Sequence, residues 1–92
     1  MIFYYVYILK SLKDQKLYIG FTKDLKKRLE YHNKGWNRST QKRKPFQLLF
    51  YEGFRSEKDA RKREAYFKTG YGREEIKVLL RETLKNDKAG IV

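Results

Sequence analysis

The hydrophobic positions at the start of the chain predict a β-hairpin. Residues 2–9, Ile-Phe-Tyr-Tyr-Val-Tyr-Ile-Leu, are all apolar or aromatic and are typical of a strand buried on both faces. Residues 11–15 are mostly polar and suit a hairpin loop. Residues 16–21 then alternate, which predicts a second strand with one face packed on a core.

The hairpin raises the question of what its tyrosines do. A loop of even length places Tyr7 on the same face of the sheet as Tyr18 and Gly20. Glycine at that position leaves space for a ring or a ligand to approach the backbone. Cross-strand aromatic packing is the more common use of such a pair, so both interpretations stay open.

The residues after the hairpin have apolar positions at helical spacing. Thr22-Lys-Asp offers an N-cap, and the stretch DLKKRLEYH predicts a helix that carries Leu25, Leu29 and His32 at helical intervals and ends at NKG. Residues 46–54, FQLLFYEGF, predict a third strand.

Two further helices complete the pattern. Ser56 is predicted to begin a helix with Asp59 at the capping-box position and Gly70 as its C-cap. A last helix is predicted from Arg73 to about Lys85, with an apolar stripe of leucines and one isoleucine. The order is β-β-α-β-α-α, which predicts an α+β fold with a three-stranded antiparallel sheet flanked by three helices.

Length and composition narrow the class of protein. The chain has 92 residues, no cysteine and one histidine, which excludes disulfides, cysteine-type zinc sites and histidine-cluster metal sites. We expect a single domain over residues 1–86 and a loose tail over 87–92. The longest apolar run is too short to span a bilayer and lacks the features of a secretory signal, so we expect a cytoplasmic protein without a membrane partner.

The strongest global feature is positive charge. The chain has 23 lysines and arginines against 11 acidic residues, a formal net charge of +12. A small domain this basic attracts polyanions, and we expect a nucleic-acid partner. The less specific interpretation is that the excess positive charge serves only solubility.

Three polar residues fall on or beside faces that should be buried. Arg28 and His32 lie next to the apolar stripe of the first helix, and Glu64 shares a face with Ala60 and Phe67. Arg28 could extend outward to solvent, with His32 as a cation at the helix end. Glu64 on an inward face requires a partner, which is either an ordinary ion pair or a bound cation.

The segment between the first helix and the third strand is basic and contains the only tryptophan. Basic residues around an exposed aromatic ring suit a nucleic-acid strand, with Trp36 stacking on a base. The alternative is a solvated connection with Trp36 folded onto the domain. The candidate nucleic-acid-binding residues are Lys34, Trp36, Arg38, Lys42, Arg43 and Lys44.

Together these positions resemble the GIY-YIG nuclease domain. Tyr5 to Tyr7, YVY, is followed after ten residues by Tyr18 to Gly20, YIG. Arg28 stands ten residues after Tyr18, as the catalytic arginine of the family does, and His32 follows four later. Glu64, in ARKREAYFK, resembles the metal-binding glutamate of the family.

The similarity extends from about residue 3 to residue 84 and is strongest to the small stand-alone bacterial members, the UPF0213-like type. The chain is more distantly similar to the incision domain of the nucleotide-excision-repair nuclease and to intron homing endonucleases. The resemblance implies a metal-dependent endonuclease acting on nucleic acid, DNA favoured over RNA, in repair or processing.

The resemblance also implies roles for individual residues. Tyr7 or Tyr18 would be the base that accepts a proton from water, with its pKa lowered by nearby cations including a charged His32. Arg28 would bind the phosphate. Glu64 would hold one Mg²⁺, or Mn²⁺ in its place.

The chain departs from the family pattern at several positions. Tyr5 replaces the first glycine, and Phe21 replaces the lysine that follows the second tripeptide in the repair nucleases. No asparagine clearly matches the late one of those enzymes, and Asn86 lies too far along. A basic nucleic-acid-binding module with the nuclease fold and little cleavage therefore stays an alternative, as does a protein–protein adaptor.

Overall fold

The computed structural model describes residues 2–85. In chain order the elements are β1 (Tyr4–Ser11), β2 (Leu17–Thr22), α1 (Leu25–Asn33), a 3-10 turn (Gln41–Arg43), β3 (Phe46–Phe54), α2 (Glu57–Phe67) and α3 (Gly70–Leu79). A further helical turn covers 81–85. This confirms the predicted α+β fold and the order β-β-α-β-α-α.

The sheet is antiparallel with the strand order β2-β1-β3, so the most apolar strand is central. Helices cover both faces. One core joins Val6 and Ile8 of β1 to α2 and α3, and the other joins Tyr7 and Leu9 to α1. The prediction that the first strand is buried on both faces is therefore confirmed for residues 6–9.

The strand boundaries differ slightly from the sequence prediction. β1 begins two residues later than expected and continues through Lys10 and Ser11, because both residues are still paired with β2 or β3. β2 is shifted by one residue in the same direction. Hydrophobic pattern alone cannot locate such ends, because backbone pairing continues into polar residues.

The predicted helix caps agree with the structure except at the end of α2. Asp24 caps α1 by accepting from the Lys27 N–H, and Ser56 caps α2 by accepting from the Asp59 N–H. Gly70 was predicted to end α2, and this is wrong: it is the first residue of α3.

The cause of this correction is a second N-cap that the sequence analysis did not identify. The Thr69 side chain accepts from the Gly72 N–H, so a new helix begins directly after α2 ends. Gly72 permits this tight connection, since a Cβ there would overlap the Tyr66 backbone. Consequently α3 begins three residues before the predicted Arg73 and is interrupted at Leu80.

The predicted tail, 87–92, and Asn86 lie outside the described residues. Within residues 2–85, none of the helices is long and apolar enough to cross a lipid bilayer.

Candidate active site

The site is built on the hairpin formed by β1 and β2. Tyr7 lies directly opposite Gly20 in the strand pairing, and its side chain is buried with 3% exposure. A Cβ at residue 20 would overlap the Tyr7 ring and hydroxyl. The missing side chain of Gly20 therefore lets the Tyr7 ring lie across β2.

The Tyr7 hydroxyl forms a hydrogen bond with His32, the one buried residue of α1. The distance from the Tyr7 hydroxyl oxygen to Nε2 of His32 is 3.0 Å. On the other side of the ring, Nδ1 of His32 lies 2.9 Å from Oγ1 of Thr40. His32 and Thr40 are both fully buried, so this chain of polar groups is enclosed by protein.

The charge state of His32 follows from its burial. Burial, with the positive charge of Arg28 as a second cause, lowers the pKa of His32 to about 4. The imidazole is therefore neutral near pH 7, and the expectation of a charged His32 is wrong.

The hydrogen bonds also indicate which nitrogen of His32 carries the proton. The tautomer with its proton on Nδ1 satisfies all the contacts: Nδ1–H donates to Thr40 Oγ1, and the Thr40 hydroxyl is free to point to the Asn37 carbonyl oxygen at 3.5 Å. Nε2 then has a lone pair and accepts from the Tyr7 hydroxyl. This arrangement lets His32 receive a proton from Tyr7.

The pKa of Tyr7 is raised well above its ordinary value, chiefly by burial and then by the neighbouring Tyr18. Arg28 lowers it, and the negative charge of Glu64 raises it again. Arg28 therefore lowers the pKa of Tyr7 as expected, but burial and Tyr18 outweigh it and the net pKa lies above the ordinary value. Its phenol keeps its proton near neutral pH unless His32 accepts it.

Tyr18 contributes its ring to the same cluster. It meets the His32 ring edge-on, with 5.0 Å between centroids, and its ring centroid lies 6.4 Å from that of Tyr7. Tyr7 is the tyrosine with the direct hydrogen bond to His32. Tyr18 packs against both rings and is partly exposed.

Arg28 faces a groove at the end of the sheet where β2 meets α1. Its guanidinium carbon lies 5.0 Å from the centroid of the Tyr31 ring, and the residue is half-buried. The groove, with a volume of about 450 Å³, is lined by Arg28 and Tyr31 among others. The positive charge of Arg28 lowers the pKa of both Tyr7 and His32.

Glu64 is the carboxylate that the sequence predicts for this site. Its side chain is only 19% exposed and forms an ion pair of 3.0 Å with Lys68 one turn along α2. The predicted ion-pair alternative is therefore present. The negative charge of Glu64 is the smallest of the four causes that shift the pKa of Tyr7.

Whether a metal ion fits this site depends on the side chains that could coordinate it. Among residues 2–85 no group of three or more histidine, cysteine or carboxylate side chains could enclose an ion. Mg²⁺ does not need one, since it commonly keeps several waters and takes one or two carboxylates together with substrate phosphate. A single, mostly buried Glu64 fits that pattern.

The basic loop presents its tryptophan to solvent. Trp36 is 62% exposed, with the Lys34 ammonium 4.9 Å from the ring centroid and the Tyr31 ring edge-on at 6.0 Å. The exposed basic side chains here are Lys34, Arg38, Lys42 and Lys44.

Arg43 has a structural role in this loop. Its Nε donates to the Asp14 carboxylate at 2.7 Å, and its Nη2 donates to the Lys16 carbonyl oxygen at 3.2 Å. Hydrogen bonding from Arg43 lowers the pKa of Asp14 to about 2. Arg43 therefore fastens the loop to the hairpin, and a variant at this position would alter the loop as well as its charge.

Thr40 is a site residue that the sequence analysis missed. It lies in the basic loop, eight residues after His32, and a threonine among lysines and arginines carries no periodic signal. Only the path of the loop, which returns to the end of α1, brings its hydroxyl to the imidazole.

Comparison with known proteins identifies the family of this chain. Residues 3–77 match the family model described as the GIY-YIG catalytic domain. The chain therefore belongs to the GIY-YIG family. Among small members it is 36% identical over 84 residues to a UPF0213 protein of Clostridium perfringens, covering 90% of this chain and 89% of that protein.

Further relatives belong to the same group. A UPF0213 protein of Pediococcus acidilactici is 40% identical over 79 residues, covering 83% of this chain and 80% of the relative. The solution NMR structure of a UPF0213 protein from Bacillus halodurans has a TM-score of 0.52 and 32% identity, covering 84% of each chain. The predicted family is confirmed, while the similarity to the repair nuclease stays a prediction.

A methyl group at residue 20 is expected to displace Tyr7. Gly20→Ala should lower the free energy of unfolding by roughly 1–3 kcal/mol, because the added atom overlaps a buried ring. It should also move the Tyr7 hydroxyl away from His32. Urea unfolding measures the first effect, and the NMR signals of His32 report the second.

Gly70→Ala is the matched control, since its Cβ would meet nothing within 4 Å. Equal behaviour of the two variants would contradict this geometry.

The single histidine allows a direct titration. The NMR signals of His32 should titrate near pH 4 in the folded protein and near 6.5 in urea. Between these values the unfolded chain binds more protons, so this group's stability contribution is complete above pH 6.5 and is lost as pH falls towards 4. His32→Gln should show a weaker loss of stability over that range. A folded-state midpoint near 6.5 would contradict the buried, neutral imidazole.

Proposed function

We propose that this protein is an endonuclease that hydrolyses phosphodiester bonds in nucleic acid with one Mg²⁺, or Mn²⁺ in its place. The observation that carries the proposal is the Tyr7–His32 hydrogen bond, made where the charges of Arg28 and Glu64 both act. Family membership supports the nuclease class. DNA is the favoured substrate because the resembled repair and homing nucleases act on DNA.

Tyr7 and His32 together supply the base. A water molecule placed beside Tyr7 gives its proton to the phenol oxygen as the phenol proton passes to Nε2 of His32. Thr40 then faces the Nδ1–H of the imidazolium. Because the entering phosphate is negative, it raises the pKa of His32 and makes the imidazole a better acceptor than in the free protein.

Arg28 binds the phosphate that is cut. A guanidinium presents its donors in a planar fork that matches two phosphate oxygens, and it stabilises the charge that develops on them. Contact with the Tyr31 ring holds this fork at the edge of the groove.

Glu64 is the residue that would hold the metal ion. When bound, Mg²⁺ supplies Lewis-acid polarisation of the phosphate and stabilises the leaving oxygen. The ammonium of Lys68 competes for the same carboxylate, so we expect weak metal affinity without substrate. Substrate phosphate adds the oxygen ligands that one carboxylate lacks.

A binding module is the second candidate, favoured by the exposed Trp36 and the basic side chains around it. It predicts tight, salt-dependent binding to nucleic acid without cleavage. The test that separates the two is incubation with single-stranded, nicked, branched and duplex DNA and RNA in Mg²⁺, Mn²⁺ or EDTA. Divalent-ion-dependent cleavage supports the nuclease, and binding without product under every condition supports the module.

Both candidates predict that the loop binds phosphates. Replacing Lys34, Arg38 and Lys42 with alanine should weaken binding to nucleic acids of any sequence. It should also reduce the salt slope, which is the steepness with which log K falls as log salt concentration rises, by about 2 to 3, because each phosphate contact contributes about 0.7 to 0.9. Arg43 stays unchanged because it fastens the loop. Fluorescence anisotropy at several salt concentrations measures the slope.

The control for this triple variant removes three exposed cations outside the loop: Lys58, Lys62 and Arg81. Its net charge is the same as that of the loop variant. If the two triple variants lose affinity and slope equally, overall charge rather than the loop governs binding.

A further inference from the structure

The groove that Arg28 lines carries more positive charge than one phosphate requires. Four cationic side chains line it, together with one carboxylate: Lys23, Lys27, Arg28, Arg61 and Asp24. Asp24 is occupied as the N-cap of α1, where it accepts from the Lys27 N–H at 3.1 Å. The groove therefore has a net positive character directly beside the candidate catalytic arginine.

Arg61 reaches this groove from α2 and is held over an aromatic ring. Its guanidinium carbon lies 4.1 Å from the centroid of the Phe21 ring, which is within the range of a cation–π contact. Phe21 in turn stacks on Tyr4, with 6.2 Å between centroids and an interplanar angle of 14°. The support under the guanidinium is therefore ordered by packing in β1 and β2.

A second contact holds the same side chain. The Arg61 Nε donates to the Glu57 carboxylate at 2.9 Å. The side chain nevertheless stays 58% exposed, so a ligand in the groove can reach it. A guanidinium that is oriented before binding loses less conformational entropy when it contacts a phosphate.

We propose that Arg61, stacked on Phe21, binds the backbone phosphate next to the one held by Arg28. The proposal deepens the proposed function, since it assigns a substrate-binding residue at the same site. The positive charge comes from α2, and Phe21 of β2 orients it.

A purely structural role for Arg61 makes a different prediction. The Arg61–Glu57 ion pair is exposed and joins residues one helical turn apart, and such pairs contribute little to stability. If Arg61 served only that pair, its replacement would change thermal stability slightly and would not change nucleic-acid affinity beyond the general loss of one charge.

The experiment compares Arg61→Gln with Lys62→Gln, which removes the same charge from the adjacent residue of the same helix. A labelled oligonucleotide is titrated in EDTA at several salt concentrations. We expect Arg61→Gln to bind about five- to tenfold more weakly at 0.1 M salt and to lose about 0.7 to 0.9 of the slope, whereas Lys62→Gln stays near the wild type. Arg61→Lys should keep the slope and lose part of the affinity, because it retains the charge without the planar stack.

Cleavage supplies the second readout. Arg61→Gln should raise KM with a smaller effect on kcat, since the residue contacts a phosphate that does not react. Binding and slope equal to those of Lys62→Gln would overturn the inference and leave the proposed nuclease activity intact. If the wild type cleaves nothing, the proposed function fails, and the binding comparison still decides the role of Arg61.

Discussion

Replacing Arg28 with lysine is expected to reduce phosphodiester cleavage by about two to three orders of magnitude while binding and melting temperature change little. The ammonium keeps the charge but not the planar fork that contacts two phosphate oxygens. Loss of one preorganised donor to a developing oxyanion has an effect of this size. Arg28 is half-buried beside the Tyr31 ring, so the expected change is in chemistry and not in a surface charge.

The control for Arg28 is Arg81→Lys, the same chemical change at an exposed arginine that belongs neither to the groove lining nor to the basic loop. It should cleave like the wild type. His32 provides a further test, because the charge of Arg28 contributes to its lowered pKa. Arg28→Lys should leave the His32 titration near its original midpoint, and Arg28→Met should raise it. Full activity of Arg28→Lys would show that Arg28 is a surface residue without a catalytic role.

Glu64→Gln is expected to lower cleavage by at least about a hundredfold and to keep or increase nucleic-acid affinity. The amide keeps the shape of the side chain but loses the charge that would hold Mg²⁺, and a bound metal ion contributes several kcal/mol of transition-state stabilisation. Binding should not weaken, because the net positive charge of the site increases.

The matched control is Glu74→Gln, which alters an exposed carboxylate paired with Lys77 on α3. If Glu64 served only its pair with Lys68, the two variants would both cleave normally and differ at most in melting temperature. Cleavage, affinity and melting temperature measured on the same preparations therefore separate the metal role from the ion-pair role.

The parts of the site that follow local periodicity could be predicted from the sequence. Alternation along the hairpin placed Tyr7, Tyr18 and Gly20 on one face, and the strand pairing has Tyr7 opposite Gly20. Helical spacing likewise indicated that His32 and Glu64 turn inward, where the structure has one fully buried and the other mostly buried. Side-chain direction in a strand or helix depends on a period of 2.0 or 3.6 residues, and both periods are visible in the sequence.

The contacts that depend on the path of a loop could not be predicted. Thr40 reaches His32, and Arg43 reaches Asp14, only because the basic loop returns across the hairpin. The predicted charge state of His32 was wrong for a similar reason. Burial is the main cause of its lowered pKa, and the depth of burial depends on tertiary packing. The contact of Arg61 with Phe21 joins two elements in a similar way.

The nuclease function is tested most directly by cleavage of a labelled DNA substrate by the wild type and Glu64→Gln, each in Mg²⁺ and in EDTA. Product is expected only for the wild type in Mg²⁺, with Glu64→Gln still bound to the substrate. Equal cleavage by the two proteins would contradict the assignment of Glu64. The absence of product from the wild type with any substrate and any divalent ion would contradict the nuclease function itself.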